Sequence, residues 1–347
     1  MTFGSIVLAA LGLAVLMVVH EGGHYLAARR FGMRVVKFSI GFGPTLYKHQ
    51  PKGSPTVYQV AIIPFLAYVQ IAGMNPYEDN DPKDKGSYLN ASLWARIVTI
   101  AAGPLTNYFF ASVLFFIGFL VGGKPLIDST SMRVSVVPDG PAAIAHIVDG
   151  DKVVAVNDAK IATWDDLKKA VSSHAGTAID VTIDRDGTVI HTKVTPEAAG
   201  AKDEGKILIG PYARIVPVGV VEAAKMSLIE PPRFVWEQLR GLARTITGKE
   251  KPDFAGPVGI TREMAKAVQS GPGPAFILLG MLSAYLGWFN LLPVPALDGG
   301  RLIFLFFEAI ARRKPDAKIE AQVHAVGLLM MLTLILCVTY FDIFPKH

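Results

Sequence analysis

Residues 6–28 read IVLAALGLAVLMVVHEGGHYLAA, an apolar run long enough to cross a bilayer as a helix, with His20-Glu21-Gly22-Gly23-His24 in its second half. Ionisable side chains are costly at membrane depth and mark function there by default. On a helix, His20 and His24 fall one turn apart on one face. Two imidazoles so placed can grip one Zn²⁺, and Glu21 lies close enough to take a proton from water on the metal. The stretch points to metal-dependent hydrolysis inside a membrane-spanning helix. Two core histidines bonded to neighbouring helices are the plain structural alternative, and the cost of burying three such groups in lipid weighs against it. The run does not read as a signal peptide: no Lys or Arg precedes it, and it flows into His-Glu rather than a small-residue cleavage site.

Working outward, the composition agrees with a membrane protein. Hydrophobic residues make up 51% of the 347 and charged residues 18%. The net charge of +5 comes without a basic and aromatic patch, so nucleic acid is not expected as a partner. Loops facing an anionic leaflet account for the basic bias. The single cysteine, Cys337, has no internal disulfide partner and lies in an apolar helix, which excludes a cysteine-based zinc site.

Four spans are legible, at 6–28 and at about 96–122, 275–292 and 323–344, with a shorter apolar stretch at 302–311 reading as a helical continuation inside the bundle. Arg29, Arg30, Arg34, Lys37, Lys48 and Lys52 follow the first span, and Arg312, Arg313, Lys314 and Lys318 follow the third. The positive-inside rule puts these loops in the cytoplasm, and the N-terminus and residues 124–272 outside. Residues 35–74 alternate and break on Gly and Pro, which predicts short strands as a hairpin dipping into the membrane. Open strand edges cannot face lipid, so such a hairpin must pack on protein or line a wet cavity.

Residues 75–89 read as a polar linker, and 130–197 as a soluble module closing with a hairpin about Asp186-Gly187. From 196 to 210 the chain reads as linker. Residues 218–247 have helical spacing broken at Pro231-Pro232, with Trp236, Leu239, Leu242 and Ile246 in a stripe suited to a membrane interface or to packing on the module.

A zinc hydrolase needs a third protein ligand and an open position for water. Asp298, in NLLPVPALDGG (290–300), is the candidate: an acid between two apolar stretches, preceded by helix-breaking Pro293 and Pro295 and followed by Gly299 and Gly300. The competing reading is an aspartate capping the next helix at a membrane-edge turn. His49, His146, His174, His191, His324 and His347 lack metal spacing and read as surface or packing residues, and Glu308 as a solvated face.

With these motifs in hand, the chain resembles the site-2 proteases, membrane-embedded zinc metalloproteases, and most closely the bacterial members of regulated intramembrane proteolysis. The likeness rests on HEGGH and NLLPVPALDGG, and extends to GFGP (41–44), GPLTN (103–107), GPVGI (256–260) and a module similar to a PDZ domain.

The resemblance implies a polytopic α-helical membrane protein of about four transmembrane helices. A re-entrant β-hairpin and an inserted extracytoplasmic PDZ-like α/β domain complete it. Its parts are two halves of a protease core (1–123 and 273–347), the PDZ-like domain (130–197), and an extracytoplasmic linker with an amphipathic helix (198–272). His20, His24 and Asp298 would hold Zn²⁺ and Glu21 would be the general base. Asn290, Asn107 and Val69 would lie at the substrate. The setting is a bacterial inner membrane, with the PDZ-like domain outside and the active site near the cytoplasmic side. The substrates are single-span membrane proteins already trimmed outside, an anti-sigma factor or a signal-peptide remnant among the candidates.

The chain departs from the family in having Pro64-Phe65-Leu66-Ala67-Tyr68-Val69 where Gly-Gly often stands between a Pro and Tyr-Val. It has room for one PDZ-like domain, and no Gly-rich carboxylate loop is evident near 132–137. The competing function is a membrane metal transporter or a metal-regulated PDZ adaptor, since His, Glu and Asp in spans can also line an ion path.

Overall fold

The computed structural model describes residues 3–63, 67–75, 81, 83–127, 130–199, 204–248 and 256–343. The chain divides into two units, one of Met1–Gly122, Gly219–Glu237 and Phe254–His347, the other of Gly123–Val218 and Gln238–Asp253.

The first unit opens with α1 (Phe3–Arg30), then β1 (Val35–Ile40), β2 (Phe42–His49), β3 (Val57–Ile63), β4 (Tyr68–Ile71) and α2 (Leu93–Gly122). The strands form one sheet in the order β2-β3-β1-β4, with β1 parallel to β3 and antiparallel to β4. The region is therefore a four-stranded sheet rather than the simple hairpin expected from alternation. Gly41 makes the difference: its φ of +94° turns the chain out of β1, and a Cβ there would lie 2.7 Å from the Ala61 carbonyl oxygen. β2 is thereby thrown past β1, and β3 returns into the gap between them. Pro64, Phe65 and Leu66, where the sequence departs from the site-2 protease pattern, lie outside the described residues.

The second unit contains β5 (Lys124–Ile127), β6 (Val134–Val136), α3 (Pro141–Ile144), β7 (Lys152–Val156), β8 (Ala159–Lys160), α4 (Trp164–Ser172), β9 (Ile179–Arg185), β10 (Thr188–Val194), β11 (Glu197–Ala199), β12 (Glu204–Lys206), β13 (Ile209–Pro211) and β14 (Ala213–Val216). Its main sheet runs β10-β9-β7-β8. The β9–β10 hairpin turns at Asp186 and Gly187, both at positive φ, as a two-residue turn of this hand requires. Thr163 and Asp166 form a capping box that starts α4, and Leu167 and Val171 drop from it onto Val153, Val181 and Ile183. The stretch read as linker supplies Ile207 to this core and β13 as the partner of β6, so the module continues beyond 197. Its polar spacing hid short strands whose pairing is non-local.

The remaining helices are α5 (Val220–Ile246), α6 (Pro257–Gln269), α7 (Pro272–Leu291), α8 (Asp298–Ala311) and α9 (Ala317–Ile343). α5 runs through Pro231 and Pro232 instead of breaking there, giving up two backbone hydrogen bonds.

Among the described residues, four helices are long and apolar enough to span a membrane: Gly4–Arg30, Leu93–Gly122, Pro272–Leu291 and Ala317–Tyr340. Their outward side chains include Leu8, Leu11, Phe109, Leu329, Met330 and Leu336, all more than half exposed, a surface suited to lipid. Inside, α2 and α7 meet along small residues. Gly118 and Gly280 leave no room for a larger side chain beside Ile277 and Phe115, and a Cβ on Gly287 would lie 2.6 Å from the Pro104 carbonyl oxygen. Lipid offers no hydrophobic drive to bring helices together, so close packing over small residues supplies the contact. At the other end of α2, Arg96 forms a two-pronged ion pair with Glu308 of α8, including an Nη1 to Oε2 bond of 2.9 Å. Glu308, read as a solvated face, is half-buried and paired.

Candidate active site

α1 carries His20, Glu21 and His24, and two glycines explain why it can lie so close to α2. A Cβ on Gly23 would lie 2.6 Å from Thr106 Oγ1 of α2, and one on Gly103 would collide with the His24 ring. The Gly of HEGGH next to His24 and the Gly of GPLTN are thus two sides of one close approach. Asp298 arrives from the other half of the chain as the first residue of α8, at the positive end of the helix dipole. The turn before it folds tightly back: side chains at Gly299 or Gly300 would strike the carbonyls of Leu292 and Val294. Both glycines are required to bring the aspartate inward.

The three predicted ligands converge. His20 Nε2 and His24 Nε2 are 3.2 Å apart, and Asp298 Oδ2 lies 3.1 Å from the first and 3.3 Å from the second. Zinc bonds of about 2.0–2.1 Å in a tetrahedron place neighbouring ligand atoms about 3.3 Å apart. The triangle fits that edge, leaving one vertex open. Both histidines are buried, and Asp298 Oδ2 has no hydrogen-bond partner among the described residues.

The tautomer also fits. His24 Nδ1 donates to the Thr99 carbonyl oxygen at 2.8 Å, which leaves Nε2 with its lone pair turned to the other ligands. On His20, Nδ1 lies 3.4 Å from Asn107 Nδ2, while Asn107 Oδ1 is buried without a partner among the described residues. The His24 Nε2 lone pair and the Asp298 carboxylate meet beside His20 Nε2, a donor set suited to a cation.

Glu21 sits beside this triangle on α1, and its Oε2 accepts a hydrogen bond from the Val69 backbone N–H at 2.9 Å. Val69 belongs to β4, the edge strand of the sheet. A cavity of about 530 Å³ lies along β4, α8 and α9, with Val69, Arg96, Arg301, Glu308, Glu320 and His324 in its wall.

Of the predicted residues, His20, Glu21, His24, Asp298, Val69 and Asn107 are brought together. Asn290, near the end of α7, donates from its amide to Leu286 O of its own helix at 2.9 Å. Asn107 is fully buried. Sequence reading misses Thr99, which contributes only a carbonyl and so leaves no side-chain signature. It also misses His324, whose position inside a span was the available signal. His324 Nδ1 accepts from the Ala296 backbone N–H at 2.9 Å in the turn before Asp298.

The fold and this constellation define a polytopic membrane metallohydrolase. Residues 8–334 match peptidase family M50. The chain is similar to the zinc metalloprotease RasP of Geobacillus kaustophilus, 29% identical with 99% of this chain and 98% of the relative covered. It is likewise similar to the regulator of sigma-W protease RasP of Bacillus subtilis, 29% identical with 94% and 95% covered. The chain belongs to peptidase family M50, the site-2 protease family, and is a zinc metalloprotease; the transporter and adaptor readings fall away.

Proposed function

We propose that His20 Nε2, His24 Nε2 and Asp298 Oδ2 hold the zinc ion and that Glu21 is the proton carrier for cleavage of a peptide bond within or near a membrane-spanning segment. One observation carries this reading: two buried imidazoles from α1 and a carboxylate from α8 close a triangle of tetrahedral edge length beside Glu21. Bound there, zinc supplies Lewis-acid activation of water and of the scissile carbonyl. Glu21, held by the Val69 N–H, takes the proton from the attacking water and returns it to the leaving amine.

Val69 turns its N–H to Glu21, so the outer edge of β4 runs beside the base. A substrate segment unwound into a strand pairs along this edge, replacing the helical hydrogen bonds it gives up. Asn290 holds substrate backbone at the end of α7. Asn107 is buried and acts through His20: with its amide turned over, Oδ1 accepts from Nδ1–H, the counterpart of Thr99 O on His24. The cavity walled by Arg96, Arg301, Glu308 and Glu320 is polar enough to admit water from the cytoplasmic side. The sheet is re-entrant, in keeping with the exposed Phe42, Leu46 and Tyr47 of β2. The second unit is an extracytoplasmic PDZ-like domain that screens substrates.

The setting is a bacterial inner membrane, and the substrates are single-span proteins after a first extracytoplasmic cut. An anti-sigma factor is the leading class, in line with the sigma-W function in the name of the Bacillus subtilis relative.

The test is cleavage of a single-span reporter panel by purified protein, wild type beside Glu21→Gln, with zinc measured in both. Equal zinc with activity reduced by about 10²–10⁴-fold in the variant is expected for loss of a general base. Normal cleavage by Glu21→Gln would remove Glu21 from the reaction.

A further inference from the structure

We propose that His324, on the last membrane-spanning helix, is a positioning residue for the zinc site, holding in place the turn that delivers Asp298. The inference rests on the assignment of Asp298 as a ligand and adds to it a residue from a third helix. It starts from a histidine inside an apolar span, where an imidazole is costly without a task. Its metal-binding capacity is not what it uses: Nδ1 faces backbone, accepting from the Ala296 N–H at 2.9 Å. An N–H donor on one ring nitrogen requires a lone pair there, so the ring is neutral with its proton on Nε2.

The residue it holds is unusual. Ala296 has φ +75°, in the left-handed region that a residue with a Cβ seldom occupies. Such a conformation persists only when its surroundings over-determine it. Two residues later the chain presents Asp298 to His20 and His24.

A second contact comes from the same face of α9. Gly327 lies three residues on, and a Cβ there would stand 2.7 Å from the Pro295 carbonyl carbon. His324 and Gly327 therefore press on consecutive residues of one turn, one by a hydrogen bond and one by close approach. The imidazole is steadied by Phe304 of α8, whose ring lies 5.9 Å away. The α9 span is largely exposed, so this contact is one anchored point on a helix with few buried side chains. Losing the hydrogen bond frees Ala296 to leave the left-handed region and lets the Asp298 carboxylate drift from the two imidazoles.

The experiment measures zinc affinity of the full-length protein in detergent by chelator competition, for wild type, His324→Ala, His324→Asn and, as reference, His20→Ala. The side-chain oxygen of asparagine can replace Nδ1 as acceptor, whereas alanine offers nothing. His324→Ala should bind zinc about 10–100-fold more weakly, the usual effect of losing a partner behind a ligand. His324→Asn should stay within a few fold of wild type. Thermal melting with chelator present separates general misfolding from loosening of the site: the metal-free variants should melt together with metal-free wild type. Wild-type affinity in His324→Ala, or equal weakness in the Ala and Asn variants, would overturn the proposal. Weak zinc binding by the wild type, unchanged in His20→Ala, would instead overturn the ligand assignment itself.

Discussion

Each unit of the molecule hides an aspartate, and the two are treated in opposite ways. In the second unit, Asp151 is buried and fully answered: Arg185 donates to both its oxygens at 2.8 Å, and the Val148 N–H donates at 2.9 Å. In the first, Asp298 Oδ2 faces only the two Nε2 atoms and finds no donor among the described residues. A carboxylate given donors is finished as structure. A carboxylate set against imidazole nitrogens, with no other donor among the described residues, is suited to a cation. The same side chain thus reports stability in one place and chemistry in the other, and its partners decide which.

Exchanging each aspartate for alanine should separate the two roles with the largest effect. Asp298→Ala should weaken zinc binding more than about 100-fold, beyond the range for residues that merely support a ligand, and leave the second unit intact. Asp151→Ala should leave zinc affinity unchanged and cost about 2–3 kcal/mol of local stability, as for lost hydrogen bonds to a charged group. Hydrogen exchange across β7 and β9 in the intact chain reads the second effect.

Acid sharpens the same point. Burial pushes the Asp151 pKa up, but Arg185 and the Val148 N–H outweigh it and hold the carboxyl below its ordinary value. A depressed folded pKa stabilises the fold above the unfolded value of about 3.9, and that stabilisation fades as pH falls toward the folded value. Exchange protection in β7 and β9 should therefore decline below about pH 4 in the wild type, and this part of the decline should be missing from Asp151→Ala. The smallest expected effect lies behind His20. Asn107→Ala should loosen zinc about ten-fold in a chelator competition, and unchanged affinity would return Asn107 to a packing role.

Much of the site is legible in the sequence, because its chemistry demands particular side chains where lipid would otherwise exclude them. His20, Glu21, His24 and Asp298 each interrupt an apolar stretch, and so stand out. The supports are harder to read. Thr99 holds His24 through a backbone carbonyl that any residue could supply. Arg96 and Glu308 are 212 residues apart, and only folding shows that each answers the other. His324 reads as packing although an imidazole in a span is costly, because its partner is the backbone of a turn that no spacing rule connects to it.

The fold shows the same division. The four spans follow from length and hydropathy, with bounds shifted by a few residues. The parallel pairing of β1 with β3, and the reach of the module to β13, depend on non-local pairing that alternation alone does not encode.

Two histidines one turn apart and an aspartate from the far end of the chain are proposed to hold one zinc ion. Zinc X-ray absorption on the purified wild-type protein tests it most directly. The expected result is one zinc per chain with only nitrogen and oxygen neighbours at about 2.0–2.1 Å and the outer-shell scattering of two imidazoles. A zinc held by three or more imidazoles, or a protein that retains none, would contradict it.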